Sequence, residues 1–305
     1  MSNLDEATPL STLDPALVFP EPPQAKPRVL TPDANHPVWG IGGALLVWIG
    51  SIALVVFVPV LFLIPYLMSS GPSSMPALVE FATKDKTAIL LQLISIIPCH
   101  VITFLMVWAL VTRFGKQSFR AAIGLEWPAQ MPWWLGLMLS IVLGGALFIV
   151  GTLIAKLLGA DKSTQLEQII NSSLAARYTI AFLAVFTAPF VEEFIYRGVL
   201  YAALQKTIGI RGAVVVVLLI FTVIHVPQYW PNAGVIAAVA LLSIALTLVR
   251  AFSGRLLPCV VIHFAFNGIQ AVLLILEPYL HNLYPTPEQV PPTAGLLLSL
   301  LHLRF

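Results

Sequence analysis

Polar and proline-rich positions fill residues 1–37, and from residue 38 the pattern inverts into long apolar runs divided by short polar joints. The runs cover about residues 39–68, 88–111, 133–158, 179–204, 212–225, 233–249 and 256–280. A helix needs roughly 20 apolar residues to cross a bilayer. The pattern therefore predicts an all-α, polytopic transmembrane helix bundle of about seven spans. An eighth is expected only if 280–303 is more regular than its prolines suggest, since the apolar stretch 294–303 is too short to cross by itself and is expected at the interface or against the bundle. The domain reading is a disordered tail over 1–37, the bundle over 38–282 and a C-terminal tail over 283–305.

Several joints carry local signals. Trp133 and Trp134 open the third run and suit an interfacial belt, as do Tyr229 and Trp230 after the fifth. Gly136, Ser140 and Gly144 recur every fourth residue, a small-residue stripe that lets a second helix approach closely. Under an N-inside topology the inner joints hold nine Lys and Arg (Lys26, Arg28, Arg113, Lys116, Arg120, Lys206, Arg211, Arg250 and Arg255) and the outer ones hold six, Lys84, Lys86, Lys156, Lys162, Arg177 and Arg304. That asymmetry favours a cytoplasmic N-terminus, with a cell membrane as the default location.

Composition agrees with this picture. Of 305 residues, 58% are hydrophobic and 10% charged, with mean hydropathy +0.91. Soluble domains carry about a quarter charged residues. The bilayer is thus the expected partner, and the dispersed net charge of +2 offers no basic tract for nucleic acid. Cys99 and Cys259 both lie in apolar runs, so neither a disulfide framework nor a cysteine metal cluster is read from them. No basic region followed by an apolar one opens the chain, so no cleaved signal peptide is expected.

Against this background three charges stand out. Glu192, Glu193 and Arg197 lie deep in the fourth run, whereas Lys156 and Glu277 lie near run ends. Charges in hydrocarbon cost several kcal/mol unless paired or hydrated and mark functional sites by default. Glu193 and Arg197 stand at i,i+4 and are expected to pair, leaving Glu192 as the carboxylate open to tuning. His225 closes the fifth run, while His263 and Asn267 share one face of the seventh. At about 1.5 Å per residue, Glu192, His225 and His263 lie ~18, ~21 and ~11 Å from one membrane face, close enough for tilted helices to bring them together. A carboxylate with a histidine can activate water, and an imidazole with a carboxamide can donate to an oxyanion.

At these residues the chain resembles the CPBP family (CAAX proteases and bacteriocin-processing enzymes, also called Abi). That family carries Glu-Glu-x-x-x-Arg, Phe-x-x-x-His and His-x-x-x-Asn on successive membrane helices. Here they are Glu192-Glu193-Phe194-Ile195-Tyr196-Arg197, Phe221-Thr222-Val223-Ile224-His225 and His263-Phe264-Ala265-Phe266-Asn267, within about residues 189–268. Gly198 and the lead-in Ser253-Gly254-Arg255-Leu256-Leu257-Pro258 are also similar to the family. The resemblance implies a catalytic core over 179–282 and an intramembrane hydrolase without an obligatory metal or cofactor. Glu192 and His225 would activate water, Glu193 and Arg197 would support them, and His263 with Asn267 would bind the oxyanion. Substrates would be membrane proteins or lipidated peptides, of prenylated CAAX or bacteriocin type.

The same residues also admit other roles. Glu192, His225 and His263 could supply three ligands to zinc, although the chain has no His-Glu-x-x-His run. A non-enzymatic immunity or scaffold protein would need the same glutamates for assembly alone. A proton-coupled carrier would call for internal repeats, and none is visible between the halves. His100, in the second run, is read as packing or a cavity lining, Tyr196 as a local packing or bonding residue, and Phe221 as core.

Overall fold

The computed structural model describes residues 33–283 except Gly71, Ser73, Ala160 and Asp161 and the side chains of Ser70, His281, Asn282 and Leu283. Its long helices are α1 (Ile41–Ser70), α3 (Lys86–Thr112), α5 (Trp133–Leu157), α9 (Tyr201–Tyr229), α10 (Ala233–Ser253) and α11 (Leu257–Leu283). Between them lie α2 (Met75–Lys84), α4 (Phe119–Ile123), α6 (Gln165–Ile170), α7 (Leu174–Phe182) and α8 (Ala188–Glu193). Leu183–Thr187 and Phe194–Leu200, on either side of α8, are π-helical. No strand occurs among the described residues.

Among the described residues, six helical stretches are long and apolar enough to cross a membrane. One of them, Leu174–Tyr229, has 56 residues and would extend ~84 Å if straight, far more than one bilayer core. It breaks at Gly209, where φ 77° and ψ 171° are outside any helix and suit glycine alone. The chain doubles back there, and Phe221 lies under the guanidinium of Arg197, 4.5 Å away, both being equally far along the chain from the break. The two arms, 174–208 and 210–229, correspond to the fourth and fifth expected spans, giving seven membrane-length segments. The second arm is longer than expected, because the helix runs on past Pro227 to Tyr229. The proposed eighth span, and the tails over 1–32 and 284–305, lie outside the described residues.

Contacts at the two ends of the bundle agree with this alternation. At one end Arg250 donates to Asn35 Oδ1 and the Ala34 carbonyl, Lys206 to the Pro37 carbonyl, and Arg255 pairs with Glu126. At the other, Lys162 and Asn232 exchange two hydrogen bonds, and Arg177 pairs with Glu277. Residues 33–37 thus sit on the bundle, with Ala34 buried, so the last part of the expected tail is docked rather than free. Large apolar side chains such as Leu46, Phe57, Val142 and Ile149 face outward, as a lipid-facing surface requires.

The small-residue stripe on α5 does two jobs. A Cβ on Gly136 would meet the Trp127 ring at 2.6 Å, and one on Gly144 would stand 2.7 Å from the Ile262 carbonyl and 2.8 Å from Ala265 Cβ. Gly144 therefore lets α5 lie against the backbone of α11 beside His263.

Candidate functional site

The helix that carries Glu192 is irregular for a chemical reason. In the first π-helical stretch the Ala188 N–H reaches back to the Leu183 carbonyl. The next residue, Pro189, has no N–H to give. The Ala184 carbonyl is thereby left without its usual intrahelical donor, and Asn267 Nδ2 on α11 supplies one at 2.8 Å. This ties α11 to the turn just before α8. In the second stretch the Tyr201 N–H returns to the Tyr196 carbonyl, and Gly198 admits Ile123, which a Cβ there would meet at 2.7 Å.

The expected ion pair forms in the core of the site. Glu193 and Arg197 are both fully buried, with Arg197 donating to Glu193 Oε1 at 2.9 Å. The same oxygen accepts from His263 Nδ1 at 2.9 Å. Arg197 uses its remaining donors on Thr247 Oγ1 and on the carbonyl and hydroxyl of Ser243, and its guanidinium caps Phe221. A buried charge requires such satisfaction. Nothing in the sequence reading gave the α10 run a part in the site. The signal was there in Ser243 and Thr247, two hydroxyls one turn apart in an otherwise apolar span.

Glu192 points the other way. Its side chain is 25% exposed, against none for Glu193, and it lines a cavity of about 750 Å³ together with His225, His263, Asn267, His100 and Tyr229. Its Oε2 lies 3.9 Å from His263 Nε2, beyond direct hydrogen-bonding distance. The six residues singled out in the sequence are therefore brought together in two layers, with Glu193 and Arg197 sealed behind His263 and the other three at the cavity beside it. Phe221 is the hinge of this packing, its ring 4.5 Å from that of His225 and 6.3 Å from that of His263.

Hydrogen bonding fixes the imidazoles. His225 Nδ1 lies 2.6 Å from the Phe221 carbonyl, which can only accept, so Nδ1 carries a proton and the neutral ring offers Nε2 as an acceptor. His263 Nδ1 likewise donates to the ionised Glu193, so an Nε2–H on this ring would make it an imidazolium.

Two expectations are extended. Tyr229, expected in a belt with Trp230, also stacks its ring on that of His225 at 6.4 Å and 13° and borders the cavity, while Trp230 beside it is exposed. Tyr196 receives the Trp48 indole N–H at 3.4 Å and also borders the cavity, so its bonding reaches across to α1. Among the described residues no group of three His, Cys, Asp or Glu that could hold a metal ion is found.

Residues 174–269 match the family model described as type II CAAX prenyl endopeptidase Rce1-like. No curated protein and no solved structure matches the chain. The match spans both arms of the Gly209 hairpin, α10 and the first half of α11, and therefore all three motifs and every residue of the buried pair. Over that segment the match supports a CPBP-family protein, a CAAX-type intramembrane protease in general.

Proposed function

We propose that this protein is a metal-independent endopeptidase that cuts membrane-associated substrates, prenylated CAAX-type or bacteriocin-type, with water activated by Glu192 and His225. The observation that carries the reading is the split between the two adjacent carboxylates. Glu193 is spent on Arg197 and His263, whereas Glu192 is the one presented to a cavity large enough for a peptide segment.

In this mechanism a water in the cavity donates one O–H to Glu192 and is oriented by His225 Nε2. Its oxygen attacks the scissile carbonyl carbon as its proton passes to the Glu192 carboxylate. The oxyanion that forms accepts from His263 Nε2–H and from the second amide N–H of Asn267, the first being held on the Ala184 carbonyl. Collapse breaks the C–N bond, and the departing amine takes the proton that Glu192 received. Glu192 must therefore be ionised and His263 doubly protonated at the start. The proposed setting is a cell membrane, with the N-terminus cytoplasmic.

The test compares new N- and C-termini in membrane proteins of cells making the wild type or Glu192→Gln, in the presence of chelator. Fragments are expected with the wild type alone, since loss of a general base costs about 10²–10⁴ in rate. A folded Glu192→Gln protein that still yields them would overturn the mechanism.

A further inference from the structure

Three glutamines line the cavity, Gln165 on α6, Gln228 on α9 and Gln270 on α11. Among the described residues none of their carboxamides has a hydrogen-bond partner. Other polar groups on these walls are engaged, Ser51 with the Trp48 carbonyl, His100 with Thr187 and Asn267 with the Ala184 carbonyl. Gln270 is half-buried and the other two are exposed. Two of the three continue the helix faces that carry the site. Gln228 follows His225 by three residues on α9, and Gln270 follows Asn267 by three on α11. Residues three apart on a helix are neighbours on one face. The two helices approach each other at Phe221, whose ring lies beside those of His225 and His263. Beyond Gly209 both run from the Arg250 end of the bundle toward the Asn232 end. Gln228 and Gln270 therefore stand about 4.5 Å further along than His225 and Asn267, a distance that one to two residues of extended peptide cover.

A peptide segment opened for hydrolysis brings N–H and C=O groups that have lost their own partners, and in an apolar cavity each unpaired group is costly. An exposed sheet edge answers that need by taking the peptide up as a further strand. No strand occurs among the described residues, so no sheet edge is on offer there and side chains are the alternative. A carboxamide is the side chain that repeats the peptide group, with a C=O that accepts and an NH₂ that donates. Resting on the hydrolase reading above, we propose that Gln228 and Gln270 bind the substrate's main chain beside the scissile bond, each pairing with a peptide group one or two residues from it. Gln165 offers a third carboxamide from α6. Recognition at these positions reads the backbone and is indifferent to the side chains of the residues it holds.

The experiment is steady-state cleavage of a fluorescent peptide ending in farnesyl-cysteine and three further residues, by purified full-length protein in detergent. Folding is checked by thermal unfolding. Gln228→Leu and Gln270→Leu should each raise KM about 5- to 100-fold, the effect of leaving one peptide group unpaired, with kcat little changed. Peptides with a single ester in place of an amide beside the scissile bond supply a readout that a packing role would not move. An ester keeps the shape of the amide but has no N–H and accepts only weakly. For one ester position per glutamine, the wild type should lose a similar factor, and the matching leucine variant should lose little more. Unchanged KM in either folded variant would overturn the proposal, as would a loss confined to kcat, or losses that simply multiply for every ester peptide. In those cases a wild type that cleaves and a Glu192→Gln that does not leave the hydrolase reading standing. A wild type that leaves the peptide intact removes that reading and this inference together.

Discussion

Adjacent glutamates in one helix turn have opposite fates because successive helical positions point about 100° apart. Position 193 faces Arg197 one turn on and His263, and position 192 faces the cavity. This division was legible from i,i+4 spacing alone, since an intramembrane arginine demands the nearest carboxylate. Substitutions should separate the two layers. Arg197→Ala would leave Glu193 as a buried charge without its counter-ion, a change that costs about 3–5 kcal/mol. We expect thermal unfolding in detergent to show a large loss of stability for Arg197→Ala and almost none for Glu192→Gln. Equal stability of the two variants would contradict the two-layer arrangement. The contact of Tyr229 with His225 was hidden for an equally physical reason. An aromatic pair before a proline at a run end has the composition of an interfacial belt, and only the continuation of the helix through Pro227 turns Tyr229 back onto His225.

At the level of elements, the positions of the membrane segments followed from hydropathy, but their internal irregularities did not. A π-helical turn shifts the side-chain period slightly, and in a stretch apolar on every side that shift leaves no mark in the pattern. Pro189 was the one available clue, because a mid-span proline must orphan a carbonyl, and Asn267 answers it from α11. The Gly136–Ser140–Gly144 stripe was legible as a close-approach surface, though not which helix it would meet. A paired substitution tests that contact. A methyl on Gly144 strikes the Ile262 carbonyl at 2.7 Å, whereas the nearest atom to one on Gly145 is Ile269 Cδ1 at 3.8 Å. Gly144→Ala should push α5 from α11 at a cost of about 1–3 kcal/mol. Since Ile262 precedes His263, it should also slow cleavage. Gly145→Ala should behave as wild type in both measurements, and a neutral Gly144→Ala would mean that the two helices do not need this approach.

Across the whole molecule, the polar clusters at the two ends of the bundle set how its segments are stacked. At the end that holds residues 33–37, Arg250 is fully buried and takes its acceptors from Asn35 and Ala34. Asp33 is held there as a carboxylate below its ordinary 3.8, first by the Asn35 N–H and then by His36. A depressed carboxylate stabilises the folded state above its unfolded value and loses that contribution as pH falls through the folded one. Any melting-temperature advantage of the wild type over Asp33→Ala should therefore be present at neutral pH and vanish in acid.

Which end faces the cytoplasm is a separate matter, and charge counting favours the one with Arg250. Seven segments place Lys116, after α3, at the Arg250 end, and Lys86, at the start of α3, at the other. Both lysines are exposed, and the native Cys99 and Cys259 are buried, so single cysteines introduced at these positions can be read without much background. A membrane-impermeant thiol reagent added to intact cells should label Lys86→Cys and spare Lys116→Cys, with the reverse result in inverted vesicles. The opposite pattern would keep the seven-segment alternation and turn the molecule over, so that substrate would meet the Ser253–Leu256 entry to α11 from outside the cell. Labelling of both positions from one side would break the alternation itself, and with it the reading of Gly209 as the point where one long apolar stretch becomes two crossings.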